Sequence, residues 1–170
     1  LILNVCIPPA TASTYNNAAI EYNAKDNFIY LAQVNAGSTN IYKYYVGLAS
    51  QVFACPVLTT PTYTYNYGIS NFSIDQNGDV YTISNYTAAT GTAKFTKVTL
   101  ATGAVLVTQT VQFPAANKPT SLGNGDLTFV ANGKLYVVFE ASATTSKLYE
   151  ITNYGVSSNA TAVFLKDIPN

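Results

Sequence analysis

Histidine, methionine and tryptophan are absent from the 170-residue chain, and only 9% of its residues carry charge. Without histidine no triad built on an imidazole base can form, and a cysteine nucleophile has no imidazole to activate it. A zinc site loses its usual nitrogen ligand. The only two cysteines, Cys6 and Cys55, are 49 residues apart, which matches no metal-binding pattern. They read either as two buried thiols or as one disulfide suited to an oxidising exterior. Eight basic and eight acidic residues cancel. No bulk field exists to hold a polyanion, and no basic stripe marks a nucleic-acid partner. No apolar run approaches the ~18 residues of a spanning helix. The opening residues lack the basic flank and cleavage site of a secretory signal. A chain that starts at Leu1 and holds no methionine reads as the visible part of a longer polypeptide.

What is present favours strands. Tyrosine occurs 14 times and phenylalanine 8, hydrophobic residues reach 48%, and polarity is carried largely by Thr, Asn, Ser and Gln. That much apolar content excludes disorder as the reason for the low charge. Three landmarks recur in phase. An apolar-Tyr pair stands at Ile29-Tyr30, Val80-Tyr81 and Leu135-Tyr136, with spacings of 51 and 55. A second mark falls at Ile41-Tyr42, Phe95-Thr96 and Leu148-Tyr149, and prolines stand at Pro8, Pro61, Pro114 and Pro169. A period near fifty residues lies in the range of propeller blades.

Each period divides into four short runs separated by turn signals. The first gives strands at 18–22, 28–34, 40–46 and 51–57, with Asp26-Asn27 at the first turn. The second gives 69–74, 80–84, 94–100 and 105–111, with Asn77-Gly78 between the first two. The third gives 127–131, 135–140, 147–152 and 162–166, with Asn132-Gly133 at the turn. Asn-Gly is a strong hairpin signal because both residues tolerate positive φ. Runs such as Phe28-Ile29-Tyr30-Leu31-Ala32 and Leu135-Tyr136-Val137-Val138-Phe139 are apolar on both alternate sets. A strand apolar on both faces must be covered on both.

The sequence therefore predicts an all-β fold, a β-propeller of three four-stranded antiparallel blades plus one orphan N-terminal strand. Residues 1–13 form the outer strand of a preceding blade and a linker; blades follow at 14–60, 61–113 and 114–170. Three blades cannot close a ring, so the remaining blades are expected from a longer parent chain, or alternatively from a second copy. A membrane β-barrel is disfavoured by the four-strand period and the two-faced apolar strands.

Chemistry-bearing residues are few. The eight acids include Asp26, Asp75 and Asp79 at first-hairpin turns, where Asp and Asn commonly bond their own backbone. Two carboxylates across a channel would suit a glycosidase, but turn formation is the plainer role. Asp75-Gln76-Asn77-Gly78-Asp79 places oxygen-bearing side chains at Asp75, Asn77 and Asp79, as in short calcium loops, without the later bidentate Glu. An ordinary hairpin is the competing reading. Tyr63, Tyr65 and Tyr67 alternate, so an extended segment puts them on one face, either against a neighbouring blade or as a ladder for a sugar or protein. Asn71-Phe72-Ser73, Asn85-Tyr86-Thr87 and Asn159-Ala160-Thr161 fit the glycosylation sequon.

The stretch Asn17-Ala18-Ala19-Ile20-Glu21-Tyr22-Asn23-Ala24-Lys25-Asp26-Asn27-Phe28-Ile29-Tyr30, followed by Ile41-Tyr42-Lys43 and Gly47, resembles a repeat in propeller domains of large secreted, repeat-rich bacterial surface proteins. Asn77-Gly78-Asp79-Val80-Tyr81 and Asn132-Gly133-Lys134-Leu135-Tyr136 resemble looser copies. The resemblance implies an extracellular or cell-surface location and adhesion or scaffolding. It supplies no catalytic residue. The expected function is a non-catalytic surface module that binds protein or glycan, without a cofactor. The alternatives are a structural subunit assembled by strand addition at residues 1–7, and a fragment of a carbohydrate-active enzyme.

Overall fold

The structure, a computed structural model, describes residues 16–23, 26–35, 38–45, 63–65, 71–99, 102, 104–122, 125–130, 132–156 and 158–170. The fold is all-β. Strands β1 (Asn16–Asn23), β2 (Phe28–Asn35), β3 (Ser38–Tyr45) and β4 (Tyr63–Tyr65) form one antiparallel sheet in that order. A second sheet holds β5 (Asn71–Ile74), β6 (Asp79–Thr87), β7 (Thr92–Thr99), β8 (Val105–Gln112), β9 (Gly125–Phe129), β10 (Leu135–Ser142), β11 (Thr145–Thr152) and β12 (Asn159–Pro169). Its order is β5-β6-β7-β8-β12-β11-β10-β9. Among the described residues the sole helical element is a 3-10 turn, Ala115–Asn117, and no helix is long and apolar enough to cross a membrane.

The eight strands comprise two antiparallel meanders joined where Asn159, Ala160 and Thr161 pair in parallel with Thr110, Val111 and Gln112. The other ends, β5 and β9, lie side by side, so the sheet nearly closes as a barrel. This departs from three separate blades. Ala160 and Val111, paired where β12 meets β8, are both fully buried, so the two meanders share one core instead of standing as separate blades. The fourth strand of the first sheet also differs from expectation. Tyr63–Tyr65 pairs with β3, downstream of the expected 51–57 run. Residues 1–7 and 51–57, with Cys6, Cys55 and Tyr67, lie outside the described residues.

Side chains fill the barrel. Tyr81, Ile83, Phe95, Val111 and Phe113 of one meander and its trailing segment meet Leu127, Leu135, Val137, Phe139, Tyr149 and Ile151 of the other. Aromatic rings interlock edge to face, with Phe113 and Tyr149 centroids 5.1 Å apart and Tyr81 and Phe129 4.4 Å apart. A second cluster lies outside the barrel wall. Tyr30, Ala32 and Ile41 of the first sheet pack with Phe72, Ile74, Val80 and Val98. The β5–β8 meander is therefore covered on both faces, and Val80 to Ser84 of β6 are all buried. Alternating burial returns in β10, where Leu135, Val137 and Phe139 are buried and Tyr136, Val138 and Glu140 only half so.

Closure depends on one close approach. Gly125 begins β9 opposite Phe139. A Cβ there would collide with the Val138 carbonyl oxygen and stand 2.6 Å from Phe139 Cδ1 and 3.1 Å from Asn71 Oδ1 on β5. Gly125→Ala is expected to cost ~1–3 kcal/mol in urea unfolding, whereas Gly155→Ser, at an exposed site with open space around it, tests only its positive φ. An unchanged midpoint for Gly125→Ala would show that β9 does not press against β5 and β10.

Candidate functional site

The three first turns hold most of the acids singled out from sequence, and a common geometry explains them. The residue three before Tyr30, Tyr81 and Tyr136 has positive φ each time: Asn27 at 62°, Gly78 at 81° and Gly133 at 79°. Asn and Gly are the residues that tolerate this conformation. One position earlier, Asp26 Oδ1 accepts from the Phe28 amide at 3.2 Å and Asn132 Oδ1 from the Lys134 amide at 3.1 Å. In the middle turn Asp75 takes over. Its Oδ1 accepts from the Asn77 amide at 2.7 Å and the Asp79 amide at 3.1 Å, and its Oδ2 accepts from the Tyr81 hydroxyl at 3.0 Å.

That arrangement is an Asx-type turn. The oxygens of Asp75 that resembled calcium ligands bond the turn itself, and Asp79 is turned toward Lys97 at 2.8 Å. Among the described residues no group of three or more Asp, Glu, His or Cys side chains is placed to hold a metal ion.

Behind each turn a tyrosine stands opposite a charged residue on the next strand: Tyr30 with Lys43, Tyr81 with Lys97, and Tyr136 with Glu150. Lys43 bonds Asp26 at 3.0 Å and lies 4.0 Å from the Phe28 ring centroid. Lys97 bonds Asp79 and lies 5.1 Å from the Tyr81 ring centroid. The third turn reverses the charges. Lys134, at the position of Asp79, reaches Glu150, at the position of Lys97, at 3.0 Å. The pair survives with its signs exchanged, the mark of a structural clamp rather than of a group needing one charge for chemistry. Burial opposes a charged Asp26, but the Tyr30 hydroxyl, Lys43 and the Phe28 amide outweigh it and hold its pKa below the ordinary value. Burial, aided by the Asp75 carboxylate, pushes the Tyr81 phenol up to about 12. Both shifts favour a charged Asp26 and a neutral Tyr81.

The inner strands hold a grouping that the sequence alone did not single out. Here β1 lies beside β5 and β5 beside β9. Glu21 and Ser73 occupy matching register positions, opposite Tyr30 and Tyr81. Ser73 Oγ donates to Glu21 Oε1 at 2.9 Å. Burial pushes the Glu21 carboxyl up, Asp126 adds to this by charge repulsion, and bonds from Ser73 and the Ile74 backbone pull against it. Register from the apolar-Tyr landmark would have revealed the match of Glu21 with Ser73, but not that the strands meet. Glu21 and Asp126 lie close enough for their charges to repel. Each already has a local partner, Asp126 Oδ1 accepting from the Leu127 amide at 2.9 Å.

The tyrosine ladder is described only as far as β4, where Tyr63 and Tyr65 stand opposite Ile41 and Thr39. Of the three sequons, Asn71 is buried, which excludes a glycan there in the folded chain; Asn85 and Asn159 are exposed. Compared with known proteins, the chain matches no family model and no curated protein.

A raised Glu21 pKa means that, as pH rises above the ordinary value of 4.5, the folded chain keeps a proton that the unfolded chain has lost. Stability tied to Glu21 is thus full below pH 4.5 and falls as pH rises through the folded-state value. Glu21→Gln is expected to gain up to ~1 kcal/mol at pH 7, solvent screening limiting the effect, and nothing at pH 4. A loss at pH 7 in denaturant titrations would mean that the carboxylate form is the one the fold prefers.

Proposed function

We propose that the chain is a set of three propeller-type blades acting as a non-catalytic binding module at the cell surface, within a larger extracellular protein. The observation that carries this reading is the β5–β8 meander, covered on one face by the first sheet and on the other by the β9–β12 meander. Sheets stacked face to face, each presenting its first turn in the same way, are how blades build a platform on which loops bind partners. The turn acids are consumed by Asx bonds and ion pairs, and no imidazole is present, which leaves recognition as the role that needs least additional chemistry. The surface relies on Thr, Asn and Tyr, groups suited to hydrogen bonding and stacking with glycans or extracellular proteins.

Retention of the purified chain on an array of glycans and extracellular-matrix proteins, without product release, is the expected result. Replacing Tyr63, Tyr65 and Tyr67 together by Ala is expected to weaken that retention at least about tenfold, the loss of a hot-spot contact. Turnover of a glycan that disappears in Glu21→Gln would replace the binding reading with an enzymatic one.

A further inference from the structure

The first sheet and the barrel meet without sharing a ladder: among the described residues no strand of one pairs with a strand of the other. They are joined by the cluster of Tyr30, Ala32 and Ile41 with Phe72, Ile74, Val80 and Val98, and by the bond from Ser73 to Glu21. Part of the barrel wall on this side is polar. Thr82 and Ser84 follow Val80 on the same face of β6, and Thr96, paired with Thr82, shares the face of Val98 on β7. All three are buried, and their hydroxyls have no hydrogen-bond partner among the described residues. A hydroxyl withdrawn from water without a partner recovers none of its lost hydration. Covering this wall therefore costs free energy that the apolar cluster has to offset.

Glu21 is a second weak point. Its carboxyl is half-buried where β1 lies beside β5 and β5 beside β9. On β2, Tyr30 stands opposite it, with its hydroxyl committed to Asp26. Lys43, next in that row on β3, is paired with Asp26 at 3.0 Å. From β5 comes Ser73 and no titratable group; Tyr81, opposite Ser73 on β6, bonds Asp75. From β9 comes Asp126, a charge of the same sign. Among the described residues Glu21 forms no ion pair. An ionised Glu21 thus meets burial and repulsion, with only the Ser73 hydroxyl and the Ile74 backbone to offset them.

We propose that the first sheet is a detachable cover: β1 to β4 leave the barrel as one unit, in a minor open form reached before the barrel unfolds, with the Glu21–Ser73 bond as an acid-favoured latch. The open form uncovers Phe72, Ile74, Val80 and Val98 and returns the Thr82, Ser84 and Thr96 hydroxyls to water. The closed form stays dominant at neutral pH. Because burial raises the Glu21 pKa, closure has its full support below pH 4.5 and loses it as pH rises through the closed-state value. Native-state hydrogen exchange of the whole chain, read peptide by peptide, tests the cover. Corrected for intrinsic rates, β2 amides are expected to exchange at least about tenfold faster than β10 amides, through an opening with a smaller denaturant dependence. From pH 4.5 to pH 7 the β2 opening constant is expected to rise about threefold, and Glu21→Gln to abolish the rise. Thr82→Val with Thr96→Val keeps the test open should Glu21→Gln misfold: β2 exchange is expected to slow about threefold, with the pH dependence retained. Exchange of β2 and β10 together, a β2 opening constant flat with pH, a rise that survives in Glu21→Gln, or faster β2 exchange in the valine variant would each overturn the proposal.

Discussion

Coverage of the β5–β8 meander on both faces is the constraint on which the remaining structure depends. Residues Val80 to Ser84 alternate across the sheet, yet none reaches solvent. Val80 needs the first sheet, and Ile83 needs the third meander. Without both covers the β5–β8 meander would leave an apolar face wet, so burial of β6 ties the first sheet to the barrel. Scarcity of charge follows, because a filled barrel with a further sheet packed on its wall has few positions where an ion can remain hydrated. Among the described residues four ion pairs form, three of them beside the first turns, where Lys43, Lys97 and Lys134 reach carboxylates within 3.0 Å.

The turns and the core solve separate problems with the same residues. In the first two units a tyrosine of the second strand gives its ring to the core and its hydroxyl to the turn. Tyr30 donates to Asp26 at 2.5 Å and Tyr81 to Asp75 at 3.0 Å. Hairpin geometry is thereby tied to sheet packing. The third unit keeps the positive-φ glycine and the Asn132 turn bond but exchanges the signs of the ion pair, so attraction rather than a particular charge is what the site needs. That distinction separates a structural acid from a catalytic one, and it is why Asp26, Asp75 and Asp79 carry no chemistry in the function proposed here.

Much of this was legible in the residues. Periodicity located the strands of the second and third units to within a few positions, and Asn-Gly located their first turns. The run Phe28–Ala32, apolar on both alternate sets, foretold cover, and Ile29 to Ala32 are buried; the same reading of Leu135–Phe139 fails, since Tyr136 and Val138 are only half-buried. Three things were not legible. The pairing of β12 with β8 joins Ala160 to Val111 in parallel across 49 positions of sequence, which no local pattern encodes. Tyr63–Tyr65 reads as the start of a new unit after Pro61, yet its backbone completes the first sheet, because β3 offers an unpaired edge. The Glu21–Ser73 contact joins residues 52 positions apart through the meeting of two inner strands, which no local signal encodes.

Chemical labelling at the two faces of the stack tests the central constraint most directly. Val80→Cys and Val163→Cys would each be exposed to iodoacetamide under native conditions, with labelling read peptide by peptide so that Cys6 and Cys55 are counted separately. Val80 is fully buried and Val163 is 42% exposed. Protection at position 80, with ready labelling at position 163, is the expected result. Ready labelling at position 80 would contradict the account, because the β5–β8 meander would then lack its cover by the first sheet.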